Sequence, residues 1–221
     1  MGKNNFGIEL KTVDRLAKDL KSLKQQNIQI CIVIGGGNIF RGLAAAAKGM
    51  DRANADYMGM LATIMNSLAL QNALEKIKLD TRVMSALPIH SVCETYIRRR
   101  ALRHMQKERL VICAAGTGNP YFSTDTAAAL RAAELQCSTI YKATQVDGIY
   151  NKDPKKFKKS TMIKKMTYDE YLLKNIKVMD NAAITIAREN NIPIKVFSIL
   201  KKDCFKKAFL NKIVLSEVSN D

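Results

Sequence analysis

Ile28-Gln29-Ile30-Cys31-Ile32-Val33-Ile34, running straight into Gly35-Gly36-Gly37-Asn38, is the stretch on which the fold turns. It is apolar at nearly every position and closed by glycine, as a strand buried on both faces of a parallel sheet would be. The three glycines let backbone N–H groups come close to an anion with no Cβ in the way. Arg41, four residues beyond Gly37, can add a charge-assisted fork to phosphate oxygens. The loop matches neither G-x-x-x-x-G-K-[ST] nor G-x-G-x-x-G, which excludes a P-loop and a dinucleotide fingerprint. A glycine run after a strand is often only a tight turn, so this loop needs others to make a site.

Outward from that stretch, strands and helices alternate. Upstream, from Thr12, apolar residues at Val13, Leu16, Ala17, Leu20 and Leu23 mark one helical face. Downstream, Asp51 to Ile77 reads as a long helix, Thr81 to Ala86 as a strand, Thr95 to Gln106 as a helix and Arg109 to Ala114 as a strand. An Ala-rich helix over Thr124 to Leu135 and a short strand over Ser138 to Tyr141 follow. The pattern loosens across the Lys-rich segment Lys152 to Lys165. Thr167-x-x-Glu170 then makes a capping box, Asn181 to Asn190 reads as a helix and Pro193 to Phe197 as a late strand. The alternation predicts an α/β fold, a three-layer α/β/α sandwich on a mostly parallel sheet, with ligands at loops leaving the carboxyl ends of strands. With no repeat and no linker, residues 1–221 are expected to form a single domain.

Composition narrows the class. The 36 basic and 20 acidic residues give a net charge of +16, but the lysines are scattered; the denser runs are Arg98-Arg99-Arg100 and Lys152 to Lys165. Solvated faces account for most of this, and attraction for anionic substrates or some polynucleotide contact for the rest. The odd set Cys31, Cys93, Cys113, Cys137 and Cys204, with no C-x-x-C pair, reads as reduced thiols, and with only His90 and His104 besides, a zinc site is not expected. No apolar run reaches the length of a membrane span and the N-terminus carries no apolar signal region, so a soluble, cytoplasmic protein is expected.

Two further loops carry chemistry. Gly116-Thr117-Gly118-Asn119-Pro120-Tyr121-Phe122-Ser123-Thr124-Asp125 follows an apolar strand and opens a helix, where free N–H groups and the macrodipole favour phosphate. The bland reading makes Thr124 or Asp125 an N-cap behind a turn; the loop is richer in donors than a cap requires. Lys142-Ala143-Thr144-Gln145-Val146-Asp147-Gly148-Ile149-Tyr150-Asn151-Lys152-Asp153-Pro154 offers a lysine, a hydroxyl, an aromatic face and carboxylates, a set suited to a purine nucleotide. Its bland reading is an Asp-Gly turn followed by Asp-Pro.

Taken together, Val33–Gly42 (V-I-G-G-G-N-I-F-R-G), Asp56–Thr63 (D-Y-M-G-M-L-A-T), Ala115–Thr126 (A-G-T-G-N-P-Y-F-S-T-D-T) and Lys142–Tyr150 (K-A-T-Q-V-D-G-I-Y) resemble the bacterial UMP kinases of the amino-acid-kinase group. The likeness extends to Lys177-Val178-Met179-Asp180 and Pro193–Phe197. It implies transfer of the ATP γ-phosphoryl group to UMP with Mg²⁺, by positioning and charge neutralisation and with no nucleophilic side chain. It implies UMP at Gly36, Asp56 and Thr117, Gly118, Asn119, Pro120, Tyr121, Phe122, Ser123 and Thr124, and ATP at Gly37, Arg41, Thr144, Tyr150 and Asp153. Asp125 and Arg41 stand near the reacting phosphates, and no residue is assigned as a fixed protein ligand of a metal. Gly2, Lys3, Asn4, Asn5, Phe6 and Gly7 match a loop linked to activation by GTP, with Asn5 where the family usually carries Gly. The resemblance further implies UTP as an inhibitor, a homohexamer, and no membrane or specific nucleic-acid partner. The family begins with an earlier strand leading into K-x-S-G-E, and Met1 falls just after that motif. The expectation is a missing first strand with a start codon upstream, and weak folding or turnover of the 221-residue chain. Two rivals remain: an amino-acid kinase acting on a carboxylate or carbamate, and a truncated, catalytically weak, basic regulatory protein that binds nucleic acid.

Overall fold

The computed structural model describes residues 7–42, 48–154, 156–157 and 159–220. Two compact units emerge, residues 1–128 and 129–221.

In the first unit, α1 (Leu10–Lys24) buries Val13, Leu16, Ala17, Leu20 and Leu23, the predicted face, and ends on Lys21 and Lys24, whose charge suits the helix C-terminus. β1 (Cys31–Val33) leads to the glycine loop, and α2 (Arg52–Lys76) follows. Asp51 caps α2, its carboxylate accepting the Asn54 N–H at 2.9 Å, an interaction worth about 1 kcal/mol. Then come β2 (Thr81–Ser85), β3 (Glu94–Thr95), α3 (Arg98–Gln106) and β4 (Leu110–Ala114). These strands form an all-parallel sheet in the order β1-β4-β2-β3. Register sets Val33 beside Cys113 and Ser85 beside Ala114. Three chain segments, at Ile34, Ala86 and Ala115, therefore leave the sheet at the same, carboxyl, edge.

Two differences from the sequence reading have clear causes. The strand foreseen over Ile28 to Ile34 pairs only over Cys31–Val33 and is half-buried there, because β1 ends the sheet order and, among the described residues, β4 alone pairs with it; β4 is sealed on both faces. The helix foreseen from Thr95 begins at Arg98, because Glu94 and Thr95 extend the sheet beside Met84 and Ser85. Cys31 and Cys113 face each other from β1 and β4 with their Sγ atoms 3.5 Å apart.

The second unit contains most of α4 (Thr124–Glu134), then β5 (Ile140–Thr144), β6 (Ile149–Tyr150), β7 (Met162–Ile163) and β8 (Lys165–Thr167). These are followed by α5 (Tyr168–Leu173), α6 (Asn181–Glu189), β9 (Ile194–Ser198), α7 (Cys204–Phe209) and β10 (Leu215–Ser219). Its sheet runs β5-β9-β10-β8, parallel except where β10 meets β9, and β6 and β7 form a separate antiparallel ribbon. The capping box holds as read: Thr167 Oγ1 accepts the Glu170 N–H and Glu170 Oε2 accepts the Thr167 N–H, both at 3.1 Å. The short strand foreseen over Ser138 to Tyr141 instead spans Ile140–Thr144, pairing with β9 along its length. The core gathers Tyr168, Tyr171, Ile184, Ile194, Val196 and Val218, all but excluded from solvent. Tyr171 anchors the segment before α6: its hydroxyl donates to the Met179 carbonyl and accepts the Met179 N–H. Among the described residues no helix is long and apolar enough to cross a membrane.

Candidate functional site

One face of α2 organises the site. Asp56, Gly59, Thr63 and Asn66 recur at three- and four-residue intervals, the spacing that aligns side chains on a helix, and each meets a loop leaving the carboxyl edge of the sheet. Buried hydroxyl and amide groups in mid-helix are costly unless bonded, and here each has a partner. Thr63 Oγ1 donates to the Met60 carbonyl and accepts the Ala115 N–H at 2.8 Å. Asn66 Nδ2 donates to the Gly35 carbonyl at 2.8 Å and to Asn38 Oδ1 at 2.6 Å.

The glycine loop presses directly on this face. A Cβ at Gly36 would lie 2.6 Å from the Gly59 carbonyl oxygen and 2.9 Å from Ala62 Cβ, so nothing but glycine fits without movement. The loop closes as a turn, with Ile39 and Phe40 donating to the Gly36 carbonyl. The N–H groups of Gly36 and Gly37 have no acceptor among the described residues, which leaves two donors side by side for an anion. Exposed Arg41 turns back on the loop, Nε donating to the Gly37 carbonyl at 3.0 Å, so one edge of its guanidinium is engaged.

The second loop is held by backbone conformation and by Asp56. Ala115, Gly116, Gly118 and Tyr121 all have positive φ. Gly118 is the position that requires it most plainly: φ is +84° and an added Cβ would lie 3.2 Å from Ala86 Cβ, where the neighbouring segment leaves β2. Asp56 Oδ2 accepts both the Tyr121 N–H and Arg52 Nε at 2.8 Å, and the Arg52 guanidinium lies over the Tyr121 ring, 5.6 Å from its centroid. Asp56 thus ties the loop to α2. Ser123, not Thr124 or Asp125, caps α4: its Oγ accepts the N–H groups of Asp125 and Thr126 at 3.0 and 3.2 Å. The cap falls one residue earlier because the helix already begins at Thr124. Thr117 Oγ1 accepts the Asn119 N–H at 3.2 Å, and Tyr121 and Phe122 are exposed beside Pro120. Gly36, Gly37, Arg41, Asp56, Thr117 to Thr124 and Asp125 therefore all belong to the first unit, on α2 and the two loops that meet it or at the start of α4.

The third loop is in the second unit. Thr144 ends β5 and closes a turn, Oγ1 accepting the Val146 N–H and donating to its carbonyl. Gly148 packs so closely that a Cβ would collide with Ser216 Oγ and the Met162 methyl; Ser216 Oγ also accepts the Ile149 N–H at 2.7 Å. Tyr150 sits on the β6–β7 ribbon opposite Met162, and exposed Asp153 turns the chain as its carbonyl accepts the Lys156 and Phe157 N–H groups. Asp147 pairs with Lys201 at 3.3 Å. Of the segment matched to the GTP-linked loop, Gly2, Lys3, Asn4, Asn5 and Phe6 lie outside the described residues. Gly7 is described: its N–H donates to the Asn38 carbonyl at 2.8 Å and its carbonyl accepts Asn38 Nδ2 at 2.9 Å. His104 bridges Glu94 and Arg109 and exposed His90 meets Thr95; neither belongs to the loops described above. Sequence reasoning overlooked Thr63 and Asn66 and the capping role of Ser123, although polar residues within the apolar run of α2 were a visible signal for the first two.

The model of the amino acid kinase family matches residues 3–198. The chain is 50% identical over 221 residues to a uridylate kinase of Paramagnetospirillum magneticum, covering 100% of this chain and 92% of that protein. It is 52% identical over 221 residues to a uridylate kinase of Zymomonas mobilis, covering 100% and 91%. Among solved structures, the UMP kinase of Ureaplasma parvum superposes with a TM-score of 0.93 at 37% identity, covering 99% of this chain and 93% of that one.

Proposed function

Because this chain belongs to the amino acid kinase family, we propose that it phosphorylates UMP, moving the γ-phosphoryl group of ATP onto the α-phosphate of UMP to give UDP and ADP. The observation that carries the reading is the α2 face, which joins a glycine loop with two N–H donors unclaimed among the described residues to the loop Ala115–Thr124, one of the stretches that resemble the UMP kinases. Gly36, Asp56 and residues 117–124 serve UMP, and Gly37, Arg41, Thr144, Tyr150 and Asp153 serve ATP. The reading takes residues 1–221 as one kinase domain.

Chemically, these groups hold and neutralise. Phosphoryl transfer passes through a loose transition state whose charge spreads over the equatorial oxygens, so fixed donors and cations supply most of the catalysis. The Gly36 and Gly37 N–H groups and the outer edge of Arg41 bind phosphate oxygens. The positive end of α4 favours the same charge. Among the described residues no three His, Cys, Asp or Glu side chains gather around a common point. Magnesium keeps several waters and binds through substrate phosphates and one or two carboxylates; Asp125, in the first turn of α4, is the carboxylate that would position it or the cations around the phosphates. Magnesium held there would supply neutralisation of charge on the transferring phosphates.

We further assign GTP as activator and UTP as inhibitor, a homohexamer, a cytoplasmic location and a place in pyrimidine nucleotide synthesis. Self-association is supported by the exposed side chains of Tyr57, Met58, Leu61 and Met65, which form an apolar stripe along α2. Neither rival gathers comparable support: the 115–124 loop and Asp56 favour a nucleotide over a small carboxylate or carbamate, and the relatives named above are uridylate kinases. A panel of UMP, CMP, AMP, carbamate and amino acids with Mg·ATP tests the reading; UMP should dominate, and preference for another acceptor contradicts it.

A further inference from the structure

Asn66 is fully buried and lies in the middle of α2, a place where an amide is expensive to keep. It is kept in a closed hydrogen-bond circuit. Asn66 Nδ2 donates to Asn38 Oδ1 at 2.6 Å, and Asn38 Nδ2 donates back to Asn66 Oδ1 at 3.1 Å. Each amide has further work: Asn66 Nδ2 also reaches the Gly35 carbonyl at 2.8 Å, and Asn38 Nδ2 the Gly7 carbonyl at 2.9 Å. Peptide bonds here are all trans, so the C=O of Gly35 and the N–H of Gly36, which share one planar group, point in opposite directions. Holding the carbonyl against the helix therefore turns the Gly36 N–H outward. Glycine on both sides of that peptide gives the chain no conformational preference of its own, so the plane must be fixed from outside. Asn66 is the side chain that reaches it.

We propose that Asn66 is a positioning residue for the phosphoryl-transfer reaction: it fixes the Gly35–Gly36 peptide plane and so presents the Gly36 N–H to substrate phosphate. Through Asn38 the same circuit fastens the segment at Gly7 to the loop. Asn66 touches no substrate itself; its effect passes through the carbonyl it holds. This inference rests on the UMP kinase reading for its kinetic consequence but not for its structural one.

The test compares Asn66→Asp, which keeps size and an acceptor for Asn38 but offers Gly35 no donor, and Asn66→Leu, of similar volume and without polar atoms. Ser67→Ala is the control: it removes a buried hydroxyl on the next residue that bonds only within α2, to the Thr63 carbonyl. Rates are expressed per folded molecule. Both Asn66 variants should lose about a hundredfold in kcat, the scale of a misplaced reacting group, and raise the KM for UMP more than that for ATP. Ser67→Ala should keep wild-type kinetics. Hydrogen exchange of the amides over residues 34–40, measured without nucleotide, should quicken in both Asn66 variants and not in Ser67→Ala. Wild-type kinetics in a folded Asn66 variant, unchanged exchange at the loop, or losses matched by Ser67→Ala would each overturn the proposal. So would failure of both Asn66 variants to fold while Ser67→Ala folds, which would assign Asn66 to the core alone. If the wild-type protein turns over no UMP, the functional reading fails, and the exchange measurement still decides the positioning role.

Discussion

Gly36→Ala is the substitution whose consequences the structure specifies most closely. The added methyl carbon would stand 2.6 Å from the Gly59 carbonyl oxygen, 2.9 Å from Ala62 Cβ and 3.1 Å from the Thr63 nitrogen. Two of these neighbours are helix backbone and cannot swing away. Restoring ordinary contact, which begins near 3.4 Å, requires the loop or the helix to move by about 0.8 Å, the difference from 2.6 Å. Overpacking of this kind costs about 1–3 kcal/mol, or about 2–12 °C in melting temperature for a chain of this size. A loop displaced by close to an ångström should lower turnover by about a hundredfold. Gly37→Ala is the internal comparison: its Cβ would find nothing nearer than 3.8 Å, the Arg41 side chain, so its melting temperature should stay within about 2 °C, as for a substitution costing under 0.5 kcal/mol. Thermal unfolding followed by circular dichroism, with a coupled ADP-release assay on the same samples, measures both. A Gly36→Ala protein that melts with the wild type and phosphorylates UMP at full rate would show that the loop does not press on α2 as described.

Other substitutions separate the two substrates. Asp56→Ala removes the acceptor of the Tyr121 N–H and the partner of Arg52; it should raise the KM for UMP at least tenfold, about 1.4 kcal/mol, and change that for ATP little, and an equal effect on both would refute the assignment. Tyr150→Ala should raise the KM for ATP with little change for UMP in the same steady-state assay; the reverse would mean the two nucleotides had been exchanged. Stability should also fall at high pH through Tyr168, whose phenol is pushed from 10.0 up to about 12, first by burial and then by the negative charge of Glu217. Below pH 10 both folded and unfolded chains keep the proton, and the contribution is intact; between about 10 and 12 the unfolded chain ionises first, so it is lost. Denaturant titrations of Tyr168→Phe across that window should show a shallower decline than the wild type, and identical slopes would count against it.

The alternation of strands and helices and the loops of the candidate site could be read from the sequence, whereas the order of the strands could not. Parallel strands flanked by helices follow from continuous apolar runs such as Leu110–Ala114, and the capping box at Thr167 was visible because its chemistry is local. The β3 residues Glu94 and Thr95 were not readable as strand, since their pairing with Met84 and Ser85 is decided by the sheet rather than by two polar residues. The C-terminal strand Leu215–Ser219 escaped for a similar reason: its polar residues alternate with Leu215 and Val218 too irregularly to show a period, and pairing on both sides holds it. In the site, the glycine loop and the Ala115–Thr124 loop could be read because backbone approach to an anion demands small residues. The supports beneath them could not. That Thr63 holds Ala115 and Asn66 holds Gly35 depends on contacts across 52 and 31 residues of chain, which no local pattern encodes.

The most direct test of the account is a single reaction of the purified protein with Mg·ATP and UMP, resolved by chromatography into nucleotide products. The account predicts UDP and ADP in equal amounts, with UMP consumed in preference to CMP and AMP. Recovery of nucleotides unchanged, or release of ADP without formation of UDP, would contradict it.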